Sequence, residues 1–524
     1  MSESVSDAKS ADEVASPSPP PPPPPPPPRS VYELRSPAAK RWILAGAAWI
    51  SLLTPATDTI YLPALTSVRA ALGGSADAVT ATVSVYMACV GLCSLVWGPL
   101  SDRVGRRAPL VACLALFLAF TAACAFAPTI DALVGLRACE GVFVGATISV
   151  TQAVVADTFA PHERGTALGL FFLPLLVGPI LAPIVGGALA AAFGWASTFW
   201  LLLVLGGALF FVALALPETH PHLAQQLRRR GGEGAAPPAG EVAAPPAGEG
   251  VAPPDRGVPS AAEAVAEADV PRGAMVAPWV PLGMMLDSRI LPHVLLSGSN
   301  FAAMFTSLTL LPTLLAVPPY SLSETAVGLC FIPIGVAMMV GSVLGGAASD
   351  RYAALSPGVT SARLLPSCLG SLFALPAGCL VFGFTIGAGG SVVAALLLGH
   401  TLIGLGQAYY MGGFMAFLTE TMQARASAAA AGSMAVNFAL AASLISAAVP
   451  LQAALGTAGI FALFAGVHVL VAAGSLRDIR TRAAAAVVAG ALAPEAAAAS
   501  AALAPDAAAA SAAGSELVAV AAAL

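Results

Sequence analysis

Three ionisable residues sit where apolar sequence surrounds them: Asp58, in "DTIYLPAL", and Arg137 with Glu140, in "LVGLRACEG". A charged side chain at the centre of a bilayer costs at least about 2.5–3.5 kcal/mol, and such residues usually serve a pathway. Arg137 and Glu140 are three residues apart, so on a helix they share a face and can pair. Asp58 lies about seven residues from the far end of its apolar run and Arg137 about seven residues into its own, which puts both at similar depth. Were the two spans to face one another, an Asp58–Arg137–Glu140 cluster would have two acids to one base, leaving one carboxylate to hold a proton near neutral pH. Tyr61, on the run of Asp58, and Tyr86, on the next run, are able to line a cavity in the first half. In the second half of the chain Asn300, Gln407 and Tyr410 are the polar groups able to line a cavity. Met and aromatic residues near them suit varied lipophilic ligands.

The elements that carry these residues are expected to be membrane helices. The chain has 524 residues, of which 57% are hydrophobic and 10% charged, with mean hydropathy +0.84. A soluble domain has about 25% charged residues. Runs long enough to cross hydrocarbon, about 20 residues each, lie near 42–64, 78–100, 108–128, 131–156, 165–191, 195–216, 290–316, 325–348, 364–387, 391–418, 427–450 and 454–475. Backbone in lipid must satisfy its own hydrogen bonds, so helices are expected. Arginines cluster after the even-numbered runs and beyond the last one, with Arg69 alone on the opposite side. By the positive-inside rule both termini are then cytoplasmic. The eight cysteines fall almost wholly inside the runs and read as small packing residues, in no metal or redox spacing.

The expected organisation is a Pro-rich disordered tail over 1–38, a six-helix bundle over 39–217, a disordered loop over 218–285, a second six-helix bundle over 286–478 and an Ala-rich flexible tail over 479–524. The prolines of the first tail can form only a polyproline stretch, a spacer or a ligand for an SH3- or WW-type partner. The two bundles echo each other. "GPLSDRVGRR" follows the second run, with Gly98, Asp102, Arg103, Gly105, Arg106 and Arg107, and "GGAASDRY" follows the eighth, with Gly346, Asp350 and Arg351. Duplicated six-helix units are the mark of a transporter built from repeats. Gly98 is read as letting two helix ends approach closely, and Gly105 as the pivot of a tight turn. The fifth run, "GLFFLPLLVGPILAPIVGG", holds Gly178, Pro179, Pro183, Gly186 and Gly187, which bend a helix and let neighbours come near.

These strings resemble the motifs of the major facilitator superfamily. The loop string resembles its loop signature, the fifth run its antiporter helix, and "TIYLPAL" the first span of its drug:proton antiporter branch. That branch includes bicyclomycin-type exporters and fungal multidrug and polyamine exporters. Asp58 stands five residues before Pro63 where bacterial members have the acid at four, and Glu140 stands where an amide is usual. The resemblance covers about residues 40–480. It implies an all-α membrane fold of twelve helices in two bundles that rock about a central site, with the first and fourth spans facing the cavity. It implies export of small organic molecules, lipophilic cations among them, driven by the proton gradient with no cofactor, by a monomer in the plasma membrane. An uptake carrier with Arg137 as anion partner is the rival within transport, and a non-transporting scaffold or sensor is the rival outside it. The chain carries no Walker sequence, HExxH, GxSxG or metal-ligand set, so no enzyme, ATP-driven pump or metal centre is expected, and nucleic-acid binding has no support.

Overall fold

The computed structural model describes residues 35–159, 161–220, 277, 279–355, 360–422 and 426–502. Almost all of the expected Pro-rich tail, most of the central loop and the end of the Ala-rich tail lie outside the described residues. Among the described residues all regular structure is helical. The first half contains α1 (Pro37–Leu72), α2 (Ala76–Val104), α3 (Arg107–Ala125), α4 (Ile130–Thr158), α5 (Pro161–Phe193) and α6 (Ala196–Ala215). The second contains α7 (Leu291–Leu315), α8 (Glu324–Leu355), α9 (Thr360–Gly387) and α10 (Val392–Thr421). The last apolar stretch, Ala428–Ala485, has 58 residues, far more than one crossing takes. Gly456 breaks it with non-helical backbone at φ 71° and ψ 171°. The parts before and after, 426–455 and 457–502, are α11 and α12, which completes twelve crossings.

Short polar residues start these helices. Ser36 accepts from the Ala39 amide, Ser75 from Ala78, Thr129 from Ala132 and Ser323 from Ala326, each satisfying a donor that the first turn leaves bare. α1 changes character just past Asp58. A 3₁₀ turn at Leu62–Ala64 carries Pro63, and the helix resumes at Leu65.

Two segments differ from expectation. Trp279–Met284 forms a short helix inside the stretch read as disordered, because it packs on α11: a Cβ at Gly432 would meet the Pro281 carbonyl oxygen. Helix also continues to Ala502, through part of the Ala-rich tail. Alanine's helix propensity is realised there without the apolar stripe whose absence suggested an irregular tail.

Small residues hold the helices together. A Cβ at Gly141 of α4 would lie 2.5 Å from the Tyr86 carbonyl oxygen of α2, and Gly345 of α8 meets the Tyr409 backbone of α10 in the same way. Gly98, expected at a close contact, and its counterpart Gly346 have open space where a Cβ would go. At position 346 the helices still approach, but from the other side: a Cβ at Gly412 of α10 would lie 2.9 Å from the Gly346 nitrogen. Gly105 does sit in the left-handed region at φ 94°, where a side chain would be strained.

The two halves meet through α2 against α11 and α5 against α8. A Cβ at Gly91 would lie 2.6 Å from Phe438 Cβ, and Ser446 Oγ donates to Ser84 Oγ at 2.9 Å. Gly187 touches the Glu324 backbone, and a Cβ at Gly328 would lie 2.5 Å from the Pro183 carbonyl oxygen. Pro183, Gly187, Glu324 and Gly328 lie at the ends of α5 and α8 remote from the Arg-rich loops. The structure therefore joins its halves toward that distal face.

Candidate functional site

α1, α2, α3 and α4 converge on Arg137. Its side chain and that of Glu140 are both fully buried, and Nη1 donates to Glu140 Oε2 at 2.6 Å. Nη2 donates to the Thr57 carbonyl oxygen at 3.3 Å. The guanidinium lies 3.8 Å from the Tyr86 ring centroid and 4.7 Å from that of Tyr61, so two aromatic faces enclose a cation that water does not reach. Glu140 is held from its other side by the Thr121 hydroxyl at 2.7 Å. A buried ion pair with its remaining lone pairs occupied is the form in which such a pair can persist.

Asp58 is 3% exposed and lies against Tyr86, within electrostatic reach of Arg137 and Glu140. It forms no salt bridge with Arg137. Its Oδ1, Thr57 Oγ1 and Arg137 Nε are buried with no protein hydrogen-bond partner. The structure thus brings Asp58, Arg137, Glu140, Tyr61 and Tyr86 together. Arg137 is spent on Glu140 and on the α1 backbone, and Asp58 is the acid left over.

Other expected cavity residues sit inside their own half. The Tyr61 hydroxyl is bonded to Thr82 on α2, and its ring packs on Phe199 of α6. Tyr410 donates to the His293 carbonyl oxygen at 2.9 Å and stacks on Phe414. Asn300 Nδ2 donates to the Leu296 carbonyl oxygen, and Asn300 Oδ1 accepts from Ser371. Gln407 is 6% exposed with an unpartnered Oε1. Asn437 on α11 is 1% exposed, with both amide atoms unpartnered.

The loop motif closes into a clamp. Arg106 Nη1 bonds the Asp102 carboxylate and donates to Ser101 Oγ at 2.8 Å, while Nε donates to Asp157 Oδ2 at 2.8 Å. Burial works against the Arg106 charge, but Asp157 and Asp102 outweigh it and hold the guanidinium above its ordinary range. Glu218 caps the next helix, accepting from the backbone amides of Arg106 at 2.9 Å and Arg107 at 3.1 Å. The second half repeats the device: Arg363 bonds Asp350 at 2.8 Å, Ser349 at 3.3 Å and the Glu420 carboxylate. Sequence reasoning missed Asp157, Glu218, Arg363 and Glu420 as clamp members. Asp157 and Glu420 end the fourth span of each half, so laying the halves over one another would have paired them. Arg103 and the exposed Arg351 stand beside the clamps.

In the antiporter helix, Gly178 packs on Pro55 and Gly186 on the Ile60 backbone, both of α1, while Gly187 reaches α8. Pro179 and Pro183 lie within the same helix. α5 is therefore wedged between the Asp58-bearing helix and the opposite half.

Duplicated bundles, paired loop clamps and a buried charge cluster define a membrane protein built from two repeats. The chain belongs to the Major Facilitator Superfamily, whose family model matches residues 47–446. It is 38% identical over 173 residues to the MFS antiporter QDR3 of Candida albicans, covering 33% of this chain and 25% of that protein. It is 32% identical to quinidine resistance protein 3 of Saccharomyces cerevisiae, over 38% of this chain and 28% of that one. It is 29% identical to citrate exporter 1 of Aspergillus niger, over 57% of this chain and 55% of that one. The chain thus spans between a quarter and about half the length of these relatives. A partially occluded inward-open structure of the xylose transporter XylE from E. coli shares the fold, with TM-score 0.59 and 16% identity over 84% of this chain and 98% of that one.

Proposed function

We propose that this integral, multi-pass membrane protein is a proton-coupled antiporter that exports small organic molecules by alternating access. The observation that carries the reading is Asp58, a buried carboxylate with an unpartnered oxygen beside a cation already paired with another acid. An acid so placed can take a proton when the site faces one side and yield it when the site faces the other. The clamps hold each bundle as a unit while the contacts of α2 with α11 and α5 with α8 open and close. Arginine placement supports cytoplasmic termini, and the plasma membrane is the proposed location. Similarity to an antiporter and a quinidine resistance protein supports organic, lipophilic and cationic substrates.

An organic-anion substrate is the second reading, supported by the similarity to a citrate exporter. Arg137 is a poor anion partner for it, being fully buried and bound to Glu140. The test is retention of lipophilic cations and of citrate in an efflux-deficient host, with and without a proton uncoupler, for the parent chain and Asp58→Asn. Uncoupler-sensitive cation export that Asp58→Asn abolishes is expected. Equal export by the variant would sink the coupling role of Asp58.

A further inference from the structure

His468, one of six histidines, is buried on α12 and plays no part in the site above. Its ring touches one serine at each nitrogen: Nδ1 lies 3.0 Å from Ser299 Oγ on α7, and Nε2 lies 3.1 Å from Ser371 Oγ on α9. Each serine has a single hydroxyl proton. Ser299 gives its proton to the Leu296 carbonyl oxygen at 2.9 Å, and Ser371 gives its own to Asn300 Oδ1 at 2.8 Å. The Asn300 amide is fixed in that sense, because its Nδ2 donates to Leu296 at 2.9 Å. With those two bonds kept, both imidazole nitrogens face oxygen lone pairs. A neutral ring has one N–H, so one serine must then turn its hydroxyl from Leu296 or Asn300 to the bare nitrogen. A ring carrying two N–H groups satisfies both serines.

We propose that His468 is a second proton-binding group of this transporter, holding an added proton between Ser299 and Ser371 inside the C-terminal half. The proton settles on whichever ring nitrogen was bare. When it leaves, one serine turns its hydroxyl toward the ring, and Leu296 or Asn300 gives up that bond. Protonation is thus felt on α7 and α9, and α7 carries Phe301, which packs on Phe438 at the contact between the halves.

Among the described residues no carboxylate of this half lies at this depth. On α7 the other ionisable group is His293. On α9 these are Cys368 and Cys379, with Arg363 at the loop end. On α10 they are His400, Tyr409, Tyr410 and, at the loop end, Glu420; α11 has none. On α12 itself Arg477, Asp478, Arg480 and Arg482 begin about 14 Å along the helix. There Asp478 already bonds His293 and Arg482. The charged ring is held by hydrogen bonds, which are stronger from a cation than from a neutral donor, and by no counter-ion.

The use of this proton in coupling rests on the antiport reading, but the binding itself does not. The experiment is nitrogen NMR of the full chain, ¹⁵N-labelled at histidine, in lipid nanodiscs between about pH 5 and 8. His468→Gln assigns the signal. The expected result is a ring with two protonated nitrogens at the acid end that loses one as pH rises. Ser371→Ala, which removes one acceptor, should weaken proton binding about tenfold, moving the transition down by about one pH unit. Asp58→Asn should leave it in place, whether or not that variant still exports. A ring with one protonated nitrogen throughout would overturn the proposal, as would a transition indifferent to Ser371→Ala.

Discussion

At Arg137 the bilayer's cost of a charge is met by four partners at once: Glu140, the Thr57 carbonyl and the enclosing rings of Tyr86 and Tyr61. Removing the acid leaves the cation buried and unpaired, which costs about 3–5 kcal/mol. Glu140→Ala should therefore lower the thermal unfolding midpoint sharply. Glu140→Gln, which keeps an acceptor for Thr121 and Arg137, should lower it less; equal losses would mean that charge, and not hydrogen bonding, dominates the pair. The pairing of Arg137 with Glu140 was legible from their spacing of three, because both stand on one helix. Thr121 was not, since nothing in sequence ties a threonine on α3 to an acid on α4 until the two helices are packed. The aromatic enclosure was only half legible: Tyr61 and Tyr86 were expected to line a cavity, and they wall in the Arg137 charge instead.

At the scale of elements, the apolar runs located the crossings because hydrocarbon thickness sets their length. The break at Gly456 also agreed with two runs, 427–450 and 454–475, read as separate spans. Which glycines make the contacts was less legible, since close approach depends on which way each helix face turns. The contacts between halves give a direct test. A side chain at Gly91 or Gly187 must push α11 or α8 away, and overpacking of this kind costs about 1–3 kcal/mol. Gly187→Leu should then shift the population away from the distally joined state by about 5–150-fold. Labelling of a cysteine introduced at Ser446, by a reagent confined to the distal side, should rise accordingly. Unchanged labelling would show that α5 and α8 do not hold that face shut.

Across the whole molecule, the duplication is visible in chemistry as well as in topology. Arg106 and Arg363 each tie a Ser-Asp pair at the end of the second helix of a half to an acid at the end of the fourth. Because the clamps lie in different halves and share no partner, their losses should add. Arg106→Ala and Arg363→Ala are each expected to cost about 1–3 kcal/mol, by the penalty for stranding hydrogen-bonded groups. The double variant should lose the sum, as read from unfolding midpoints. The shared "SDR" string made the repeat legible. The third corner of each clamp was hidden because Asp157 and Glu420 lie in unlike sequence, and only the shared position of the two helices relates them.

The hydroxyl pair Ser84–Ser446 has a consequence for speed. Lipid offers helices no hydrophobic reason to associate, and one side-chain hydrogen bond between them adds about 0.6 kcal/mol on average. That is a bias of only about threefold, since about 1.4 kcal/mol makes ten. In the proposed antiport cycle, a fastening this light adds little to the barrier of each opening and closing.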